Sequence, residues 1–467
     1  MRSHKKHLKY IDDTMTENIL ERIPEEEIIA EKGQSKFFTI LAKITYIAFF
    51  GFIFIGNSIP FSERAKSTEE IITSNIANQV AFPLLFLTAV ITLIPKRKQV
   101  FRILFNEKMF AIFFAWGLAT LLWSSFPFIS FKRWFQVVVP IFITISAGLY
   151  IKDQKELFRL LKYILIPYLI ISILSIALVP GARDENGAWR GLASSKNNLG
   201  QEAVMNLIIG AIIFHVSDYK GKIVAMFMLL LAFVLLVGSQ SATSFSAFMF
   251  ITFLGVLTLG DKYLRPLKMG RVFTVLGLVT LAAIALSILF LAPEVFNELA
   301  GGAGKDLTFT GRTNLWRDIL HEANKHLLYG AGFQGYWVVE NTKLQALYRL
   351  YIWLPNQAHN GYLDILNETG LIGLILFFLV VIKYAISLKK LKQVNYTSWF
   401  IIAILIINLQ ESTIVRPAHL LGVLFIFSYY TLFTGIQKQK MEKEELESGE
   451  YHKRLLRRRN MTRVENI

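Results

Sequence analysis

Long, continuously apolar runs dominate this sequence, and they restrict its fold more than any other feature. Crossing the hydrocarbon core of a bilayer takes about 20 mainly apolar residues in a helix, and about twelve runs approach that length. Barrel strands would be shorter and would alternate apolar with polar residues. The sequence therefore predicts an all-α polytopic membrane protein. The runs centre on residues 44–58, 78–94, 109–124, 134–150, 163–179, 199–216, 223–238, 243–260, 272–292, 368–387, 398–410 and 419–436.

Composition supports a membrane protein and excludes several other classes. Of the 467 residues, 54% are hydrophobic and only 18% are charged, which leaves more apolar surface than a soluble domain of this length can bury. The net charge is +16, but the basic residues fall between the apolar runs and no nucleic-acid-binding module accompanies them. We therefore expect no nucleic-acid partner. The chain has no cysteine, which excludes a disulfide framework and a thiol nucleophile.

Lys and Arg alternate in density from one connection to the next, as the positive-inside rule requires when no helix has been missed. Lys96-Arg-Lys98 and Lys389-Lys390 lie in predicted inner connections. The pattern predicts that both termini are cytoplasmic, and the charged N-terminus does not fit a cleavable signal peptide. The predicted regions are a cytoplasmic N-terminal segment (1–36), helices 1–9 (37–292), a large periplasmic or extracellular loop (293–359), helices 10–12 (360–436) and a basic cytoplasmic tail (437–467).

The large outer loop, between predicted helices 9 and 10, is where we look for chemistry. Within it, Arg312–Lys325 has the spacing of an amphipathic helix, which we expect to lie at the membrane surface. The apolar side chains that would share one face are Leu315, Trp316, Ile319 and Leu320. A glycine-rich turn, Gly330-Ala-Gly-Phe-Gln-Gly335, follows.

Several basic residues lie on the predicted outer side, against the topology rule. Charge near hydrocarbon is costly, so an anionic ligand would explain them, and arginine suits phosphate through its forked donors. Each could instead reach water or pair with Glu185, Glu340 or Glu411. These residues are Arg190, Lys196, Arg312, Arg317 and Arg416.

Two further segments are candidates for the site. Gly187–Gly200 combines turn residues with Arg190 and Lys196 directly before an apolar helix, whose first backbone N–H groups would point outward, an anion-binding arrangement. His359 lies where the large loop meets the tenth helix. Its imidazole could accept a proton from a sugar hydroxyl, or it could serve only to satisfy a backbone carbonyl.

In combination, these segments resemble the O-antigen ligase/polymerase superfamily of membrane glycosyltransferases. The histidine signature of that family is met without a gap by His359, Asn360, Gly370 and Gly373. Thr310-Gly-Arg-Thr-Asn-Leu-Trp316 is similar to its Gly-Arg motif. Trp189-Arg-Gly-Leu192, Lys196-Asn-Asn-Leu-Gly200 and Asn408-Leu-Gln-Glu-Ser412 most resemble exopolysaccharide polymerases of the ExoQ type. One position departs from that pattern, because Ser195 stands where such proteins often have histidine.

The resemblance implies transfer of a glycan from an undecaprenyl-pyrophosphate carrier to an acceptor hydroxyl at the outer leaflet of the bacterial cytoplasmic membrane. It also implies a metal-independent, inverting reaction without a cofactor. His359, Arg312 and Arg190 are the predicted catalytic residues. The predicted substrate-binding residues are Lys196, Asn197, Asn360, Glu411 and Arg416; alternatively, Glu411 only pairs with Arg416.

Two alternatives remain open at this point. A ligase, which attaches finished glycan to lipid A core or protein, would share the motifs of a polymerase. A transporter or flippase would also suit twelve helices, but it predicts two related halves, and the sequence shows no internal repeat. A flippase and a chain-length regulator are candidate partners of a polymerase.

Overall fold

The computed structural model describes residues 25–56, 76–263, 312–351 and 354–447, and the regular structure in these ranges is almost entirely helical. Short 3₁₀ or π-helical turns extend several helices. In chain order the α-helices are α1 (Glu25–Gly51), α2 (Ile76–Leu93), α3 (Arg97–Asn106), α4 (Lys108–Ala119), α5 (Pro127–Tyr150), α6 (Gln154–Leu178), α7 (Lys196–Val216), α8 (Tyr219–Gly238), α9 (Ala242–Tyr263), α10 (Arg312–Ala323), α11 (Thr342–Leu350), α12 (Gly361–Leu388), α13 (Ser398–Ile407) and α14 (Leu420–Glu447).

Eight helical segments of the described ranges are long and apolar enough to cross a membrane, and three shorter apolar helices accompany them. The long segments include Lys36–Ile55, Ala77–Asn106 and Gly361–Leu388; the shorter ones are Lys108–Leu122, Ala242–Gly255 and Ser398–Ile407. These segments coincide with predicted apolar runs. The prediction of a helical, polytopic membrane protein is therefore confirmed.

Parts of the predicted organisation lie outside the described residues. These parts are the ninth apolar run (272–292), residues 293–311 of the large loop, most of the N-terminal segment and the tail from residue 448. The count of twelve helices, the cytoplasmic termini and the domain boundaries therefore stay predictions.

Helix ends follow from local capping chemistry. Asp153 accepts a hydrogen bond from the Glu156 backbone N–H at 2.8 Å at the start of α6, and Asp218 accepts from the Gly221 N–H at 3.0 Å at the start of α8. Such side chains satisfy N–H groups that have no partner within the helix. Pro127 begins α5, a position where the missing N–H of proline costs nothing.

The bundle is built around α14. In the most apolar stretch of α14, 94% of the residues are buried, whereas in the corresponding stretch of α8 only 28% are buried. Tyr429 of α14 stacks on Phe110 of α4 with the ring centroids 4.5 Å apart, and Tyr430 packs edge to face against the same ring at 5.5 Å. Helix α14 is therefore the central element, whereas α8 exposes most of its apolar surface, as a lipid-facing helix does.

A second, smaller apolar cluster covers the end of the bundle at which α12 begins, which we call the site end. Leu315, Trp316 and Ile319 of α10 are buried in this cluster together with Trp337. Helix α10 packs against α12. Leu320, which the spacing placed on the same face, is 37% exposed. The apolar face of α10 is thus covered largely by protein.

Helix α12 is broken at Gly370, where φ is +71°. The 327–332 loop packs into this break: the Leu371 N–H donates to the Leu327 carbonyl at 2.7 Å, and the Gly332 N–H donates to the Glu368 carbonyl at 2.9 Å. A side chain at Gly370 would be strained by the positive φ and would collide with the Leu328 backbone. The requirement for glycine at this position of the histidine signature is therefore structural.

Candidate active site

Glu411 lies at the centre of a polar cluster at the site end. It follows the last turn of α13, where its N–H donates to the Ile407 carbonyl at 2.9 Å. The side chain of Asn408 stabilises this turn by accepting from the Thr413 N–H at 3.0 Å. Only 3% of the Glu411 side chain is exposed, so its carboxylate requires partners to stay charged.

Four side chains from distant parts of the chain supply those partners. Arg312 Nη2 is 2.9 Å from Oε1 of Glu411, and Asn197 Nδ2 donates to the same oxygen at 3.1 Å. His359 Nδ1 is 2.9 Å from Oε2, which also accepts from Gln357 Nε2 at 3.1 Å. We call these five residues the Glu411 cluster. Both carboxylate oxygens are shared between a cationic or titratable donor and an amide.

The cluster holds Glu411 in its ionised form. Burial alone would raise the pKa of this carboxyl, because desolvation disfavours the charged state. The hydrogen bonds and charges of His359 and Arg312 outweigh burial, and the pKa of Glu411 therefore lies below its ordinary value. A neutral-pH site with a fixed negative charge results, and this charge orients the two side chains that contact it.

The contact with Glu411 also assigns the histidine tautomer. An ionised carboxylate only accepts hydrogen bonds, so Nδ1 of His359 is the nitrogen that carries a proton. In the neutral imidazole the basic lone pair is then on Nε2. The histidine–carboxylate pair thus has the arrangement of a general base with an orienting acid.

The backbone around His359 is held on both sides. His359 has a φ of +52°, in the left-handed region that non-glycine residues rarely adopt. The preceding Ala358 donates its N–H to Asp364 at 3.2 and 3.3 Å, and its carbonyl accepts from Trp316 Nε1 at 2.7 Å. On the other side, the Gly361 N–H donates to the Asn408 carbonyl at 2.9 Å. These contacts stabilise the unusual conformation and fix the imidazole against Glu411.

Arg312 is the first residue of α10, and its guanidinium spans the turn that carries Glu411. Besides the carboxylate contact, Nη1 donates to the Gln410 carbonyl at 2.6 Å. A cation at a helix N-terminus is unfavourable by itself, because the helix dipole is positive there. The nearby carboxylate compensates, and 14% of the Arg312 side chain remains exposed.

Arg190 lies in the loop that leads into α7 and Lys196 is the first residue of α7; both are next to the cluster but not within it. Arg190 Nη2 donates to the Ser194 carbonyl at 2.9 Å, and Lys196 Nζ is 3.4 Å from Asp184. Ser195, at the position that departs from the family pattern, caps α7 by accepting from the Asn198 N–H at 3.2 Å. Asn197 joins this loop to Glu411.

The remaining two predicted site residues make structural contacts. Asn360 accepts from the Tyr362 and Leu363 N–H groups, both at 3.1 Å, and thereby caps α12. Arg416 donates to the Asn356 carbonyl and not to Glu411. The pairing considered between Glu411 and Arg416 is thus replaced by the pairing of Glu411 with Arg312 and His359.

Two side chains that the sequence analysis did not single out complete the site. Gln357, just before His359 in the chain, donates to Glu411, and Asp364, further along, accepts from the backbone N–H of Ala358. In the sequence, the polar character of these two residues close to the predicted catalytic histidine was the signal that could have identified them. Asp364 also accepts from Trp337 Nε1 at 2.8 Å.

A second buried network ties the glycine-rich turn to the bundle. Gln334 donates to Glu368 from its backbone N–H at 3.0 Å and from its side chain at 3.1 Å. Arg133 of α5 donates to the Gln334 and Trp337 carbonyls at 2.7 and 3.1 Å. This network positions Trp337, and through it Asp364.

Comparisons with known proteins show which proteins this chain resembles. A family model described as O-antigen ligase matches residues 227–378, a range that contains Arg312 and His359. The chain is also 28% identical over 283 residues to the exopolysaccharide production protein ExoQ of Rhizobium meliloti (strain 1021). That match covers 56% of this chain and 61% of the relative, so it spans less than two thirds of either protein. The predicted resemblance is confirmed: this chain is similar to the O-antigen ligase/polymerase superfamily and, within it, to ExoQ.

Proposed function

We propose that this protein is a membrane glycosyltransferase that moves glycan from an undecaprenyl-pyrophosphate carrier to an acceptor hydroxyl, polymerising repeat units at the outer leaflet of the bacterial cytoplasmic membrane. The observation that carries the proposal is the Glu411 cluster, in which one buried carboxylate contacts both His359 and Arg312 at 2.9 Å. It brings a basic imidazole and a fixed cation to the same end of a membrane-embedded bundle.

The proposed role of the cations is to stabilise the negative charge of the pyrophosphate leaving group. When the bond between the anomeric carbon and the carrier breaks, the bonding electrons stay on the pyrophosphate, and its charge needs preorganised donors. Arg312 and Arg190 are the proposed donors, because forked guanidinium groups fit phosphate oxygens. Lys196 and Arg416 lie in the same region and would bind the more distant phosphate oxygens.

His359 accounts for the nucleophile. Its Nε2 would take the proton of the acceptor hydroxyl while the hydroxyl oxygen attacks the anomeric carbon from the face opposite the pyrophosphate. One glycosidic bond forms, the bond to the carrier breaks, and the configuration at the anomeric carbon inverts. Glu411 would stabilise the imidazolium that forms, as the orienting acid does in other histidine–carboxylate pairs.

The alternatives differ in acceptor or in class. A ligase that attaches finished glycan to lipid A core or protein is favoured by the description of the matched family, O-antigen ligase. Polymerisation is favoured by the similarity to a protein named for exopolysaccharide production. A glycan transporter or flippase would not need a base paired to a carboxylate. A flippase and a chain-length regulator are the partners that a polymerase would need.

Reconstituted protein tests the proposal directly. Purified protein in liposomes is given lipid-linked repeat units extracted from the source membranes, and the products are separated by size. We expect longer lipid-linked chains from the wild type, in the presence or absence of EDTA, and none from His359→Ala or Arg312→Ala. Arg159→Ala, which removes a cation from the opposite end of the bundle, is the matched control.

The outcomes separate the candidate functions. Unchanged substrate with every protein contradicts polymerase activity. Transfer that starts only when lipid A core is added identifies a ligase. Loss of product with EDTA, restored by a divalent cation, contradicts the metal-independent reaction. Movement of the substrate across the bilayer without chain growth identifies a transporter.

A further inference from the structure

A pocket next to the Glu411 cluster has one polar wall that the proposed chemistry does not use. Its empty space, counted together with the open solvent at its mouth, is about 390 Å³. The polar wall comes from the start of α7, the loop before it and the residue that precedes α14. Its members are Ser194, Asn198, Gln201, Glu202 and His419.

The opposite wall is apolar. It consists of Ile53 and Phe54, in the π-helical turn after α1, and of Leu420 and Leu421, at the start of α14. A sugar ring presents a similar combination, with C–H groups on its faces and hydroxyls along its edge. Pockets with apolar walls and a few convergent polar groups are the usual form of small-molecule sites.

Gln201 is the observation that points to a ligand. Its side chain is buried, with 1% exposure, and it lines the pocket. Within the described part of the chain, its Oε1 atom has no hydrogen-bond partner. A buried amide oxygen without a partner has lost its hydrogen bonds to water, so a donor supplied by a bound molecule would remove that desolvation penalty.

The other polar groups offer both donors and acceptors. Burial and the charge of Arg416 lower the pKa of His419 to about 4, so its imidazole is neutral near pH 7. Nδ1 of His419 accepts from the Leu421 N–H at 3.3 Å, which assigns the proton to Nε2. Glu202 accepts from the Tyr168 hydroxyl. Hydroxyl groups, which donate and accept at once, match such a mixed lining.

The pocket adjoins the residues proposed to bind the pyrophosphate. Ser194 lines the pocket, and its carbonyl accepts from Arg190. Asn197, next to Asn198 in the chain, contacts Glu411 at 3.1 Å. A molecule in the pocket therefore lies beside the groups to which we assign the carrier phosphates.

We propose that this pocket is a sugar subsite, which receives the hydroxyl-bearing edge of one sugar ring of the lipid-linked glycan, with Gln201 accepting a hydrogen bond from a sugar hydroxyl. The proposal rests on the proposed function for the identity of the carrier. It adds a specificity determinant in α7, one helical turn after Asn197, which contacts Glu411.

Binding to carriers with and without sugar tests the subsite. The probes are undecaprenyl pyrophosphate alone and the same carrier bearing glucose, galactose or N-acetylglucosamine, each titrated against protein in nanodiscs. We expect the wild type to bind at least one glycosylated carrier about tenfold more tightly than the bare carrier. Gln201→Met, which keeps the volume and removes the amide, should abolish this preference and leave the affinity for the bare carrier unchanged.

Asn206→Leu is the matched control, because Asn206 is a buried amide of the same helix that does not line the pocket. It should retain the preference. The subsite is overturned if no sugar raises the affinity, or if Gln201→Met retains the preference. Binding of glycosylated but not bare carrier, lost in Gln201→Met, keeps the subsite and contradicts the pyrophosphate contacts. If no probe binds, both proposals fail. A preference lost equally in Asn206→Leu shows a general effect on α7 and overturns the subsite.

Discussion

The two ends of the helical bundle use their cations differently. At the opposite end, away from the site, two cations complete helix termini: Lys96 donates to the Leu149 carbonyl at 2.7 Å, and Arg159 donates to the Val216 carbonyl at 2.7 Å. These carbonyls belong to the last turns of α5 and α7, where cations are favoured by the helix dipole. Helix capping and the positive-inside rule are therefore sufficient to account for these two cations.

At the site end, Arg312 and His359 converge on one carboxylate, whereas Arg183 at that end donates to the Ile176 carbonyl in the last turn of α6. Arg312 and His359 share one buried carboxylate, and Arg190 is held one loop away. A capping role would not require a buried acid, which costs desolvation unless it is fully paired. A buried carboxylate shared by Arg312 and His359 therefore distinguishes the site end from the opposite end better than the number of cations does.

The largest effect should appear when a residue of the Glu411 cluster and a cation of the opposite end are each replaced by alanine and the transfer activity is measured. His359→Ala and Arg312→Ala should each lower the transfer rate by about 10²–10⁴-fold, because they remove the proposed base and the proposed donor to the leaving pyrophosphate. Arg159→Ala should leave the rate within about twofold, because its guanidinium caps α7 at the far end. The rate of chain growth on lipid-linked substrate measures this. Equal losses in all three variants would contradict a localised site.

The second effect concerns the charge of Glu411. Its folded-state pKa lies below the ordinary value of 4.5, so its ionised form contributes stability above that pH, and this contribution is lost as the pH falls through the depressed pKa. Glu411→Gln should therefore destabilise the protein by about 1.5–3 kcal/mol near neutral pH and by less in acid. Thermal unfolding in nanodiscs between about pH 7 and 3 measures the difference.

Glu185→Gln is the control for that experiment, because Glu185 is exposed at the same end and loses the same charge. Its unfolding curve should follow that of the wild type at every pH. A Glu411→Gln penalty that stays constant as the pH falls would show that the carboxylate charge is not what stabilises the cluster.

Much of this fold was predictable, because hydrophobicity in helical spans is a property of contiguous sequence. The run predicted at 199–216 corresponds to α7 at Lys196–Val216, with an error of one helical turn at the start. The break of α12 at Gly370 was not predictable, because it depends on contact with Leu328 from a separate loop. Glycine alone is compatible with an unbroken membrane helix.

The members of the site were more predictable than their pairing. The motifs pointed to His359, Arg312 and Glu411, yet sequence proximity suggested Arg416 as the partner of Glu411. Arg312 is 99 residues away from Glu411 in the chain, and only the fold brings the two together. No motif pointed to Gln201 or Asp364. The significance of Gln201 depends on the pocket that it lines, and that of Asp364 on the backbone N–H of Ala358, from which it accepts a hydrogen bond.

A smaller effect should follow from loosening the support of His359. Asp364→Asn replaces one acceptor oxygen by a donor that faces the Ala358 and Trp337 N–H groups. We expect the turnover number to fall about tenfold while the KM for lipid-linked substrate stays unchanged, because the base moves and the carrier contacts remain. Steady-state kinetics measures both. Glu340→Gln, at an exposed acid of the same end, should change neither parameter.

The smallest effect on activity should come from removing a cap at the opposite end. Lys96→Met keeps the apolar stem but removes the ammonium group that donates to the Leu149 carbonyl and lies 3.9 Å from the centre of the Tyr150 ring. One partly buried hydrogen bond and one cation–π contact predict a loss of about 1–2 kcal/mol in stability. Activity measured well below the unfolding temperature should match the wild type. A fall in activity comparable to that of Arg312→Ala, with stability unchanged, would show that the two ends are coupled and that the convergence of cations at Glu411 is not what sets the site apart.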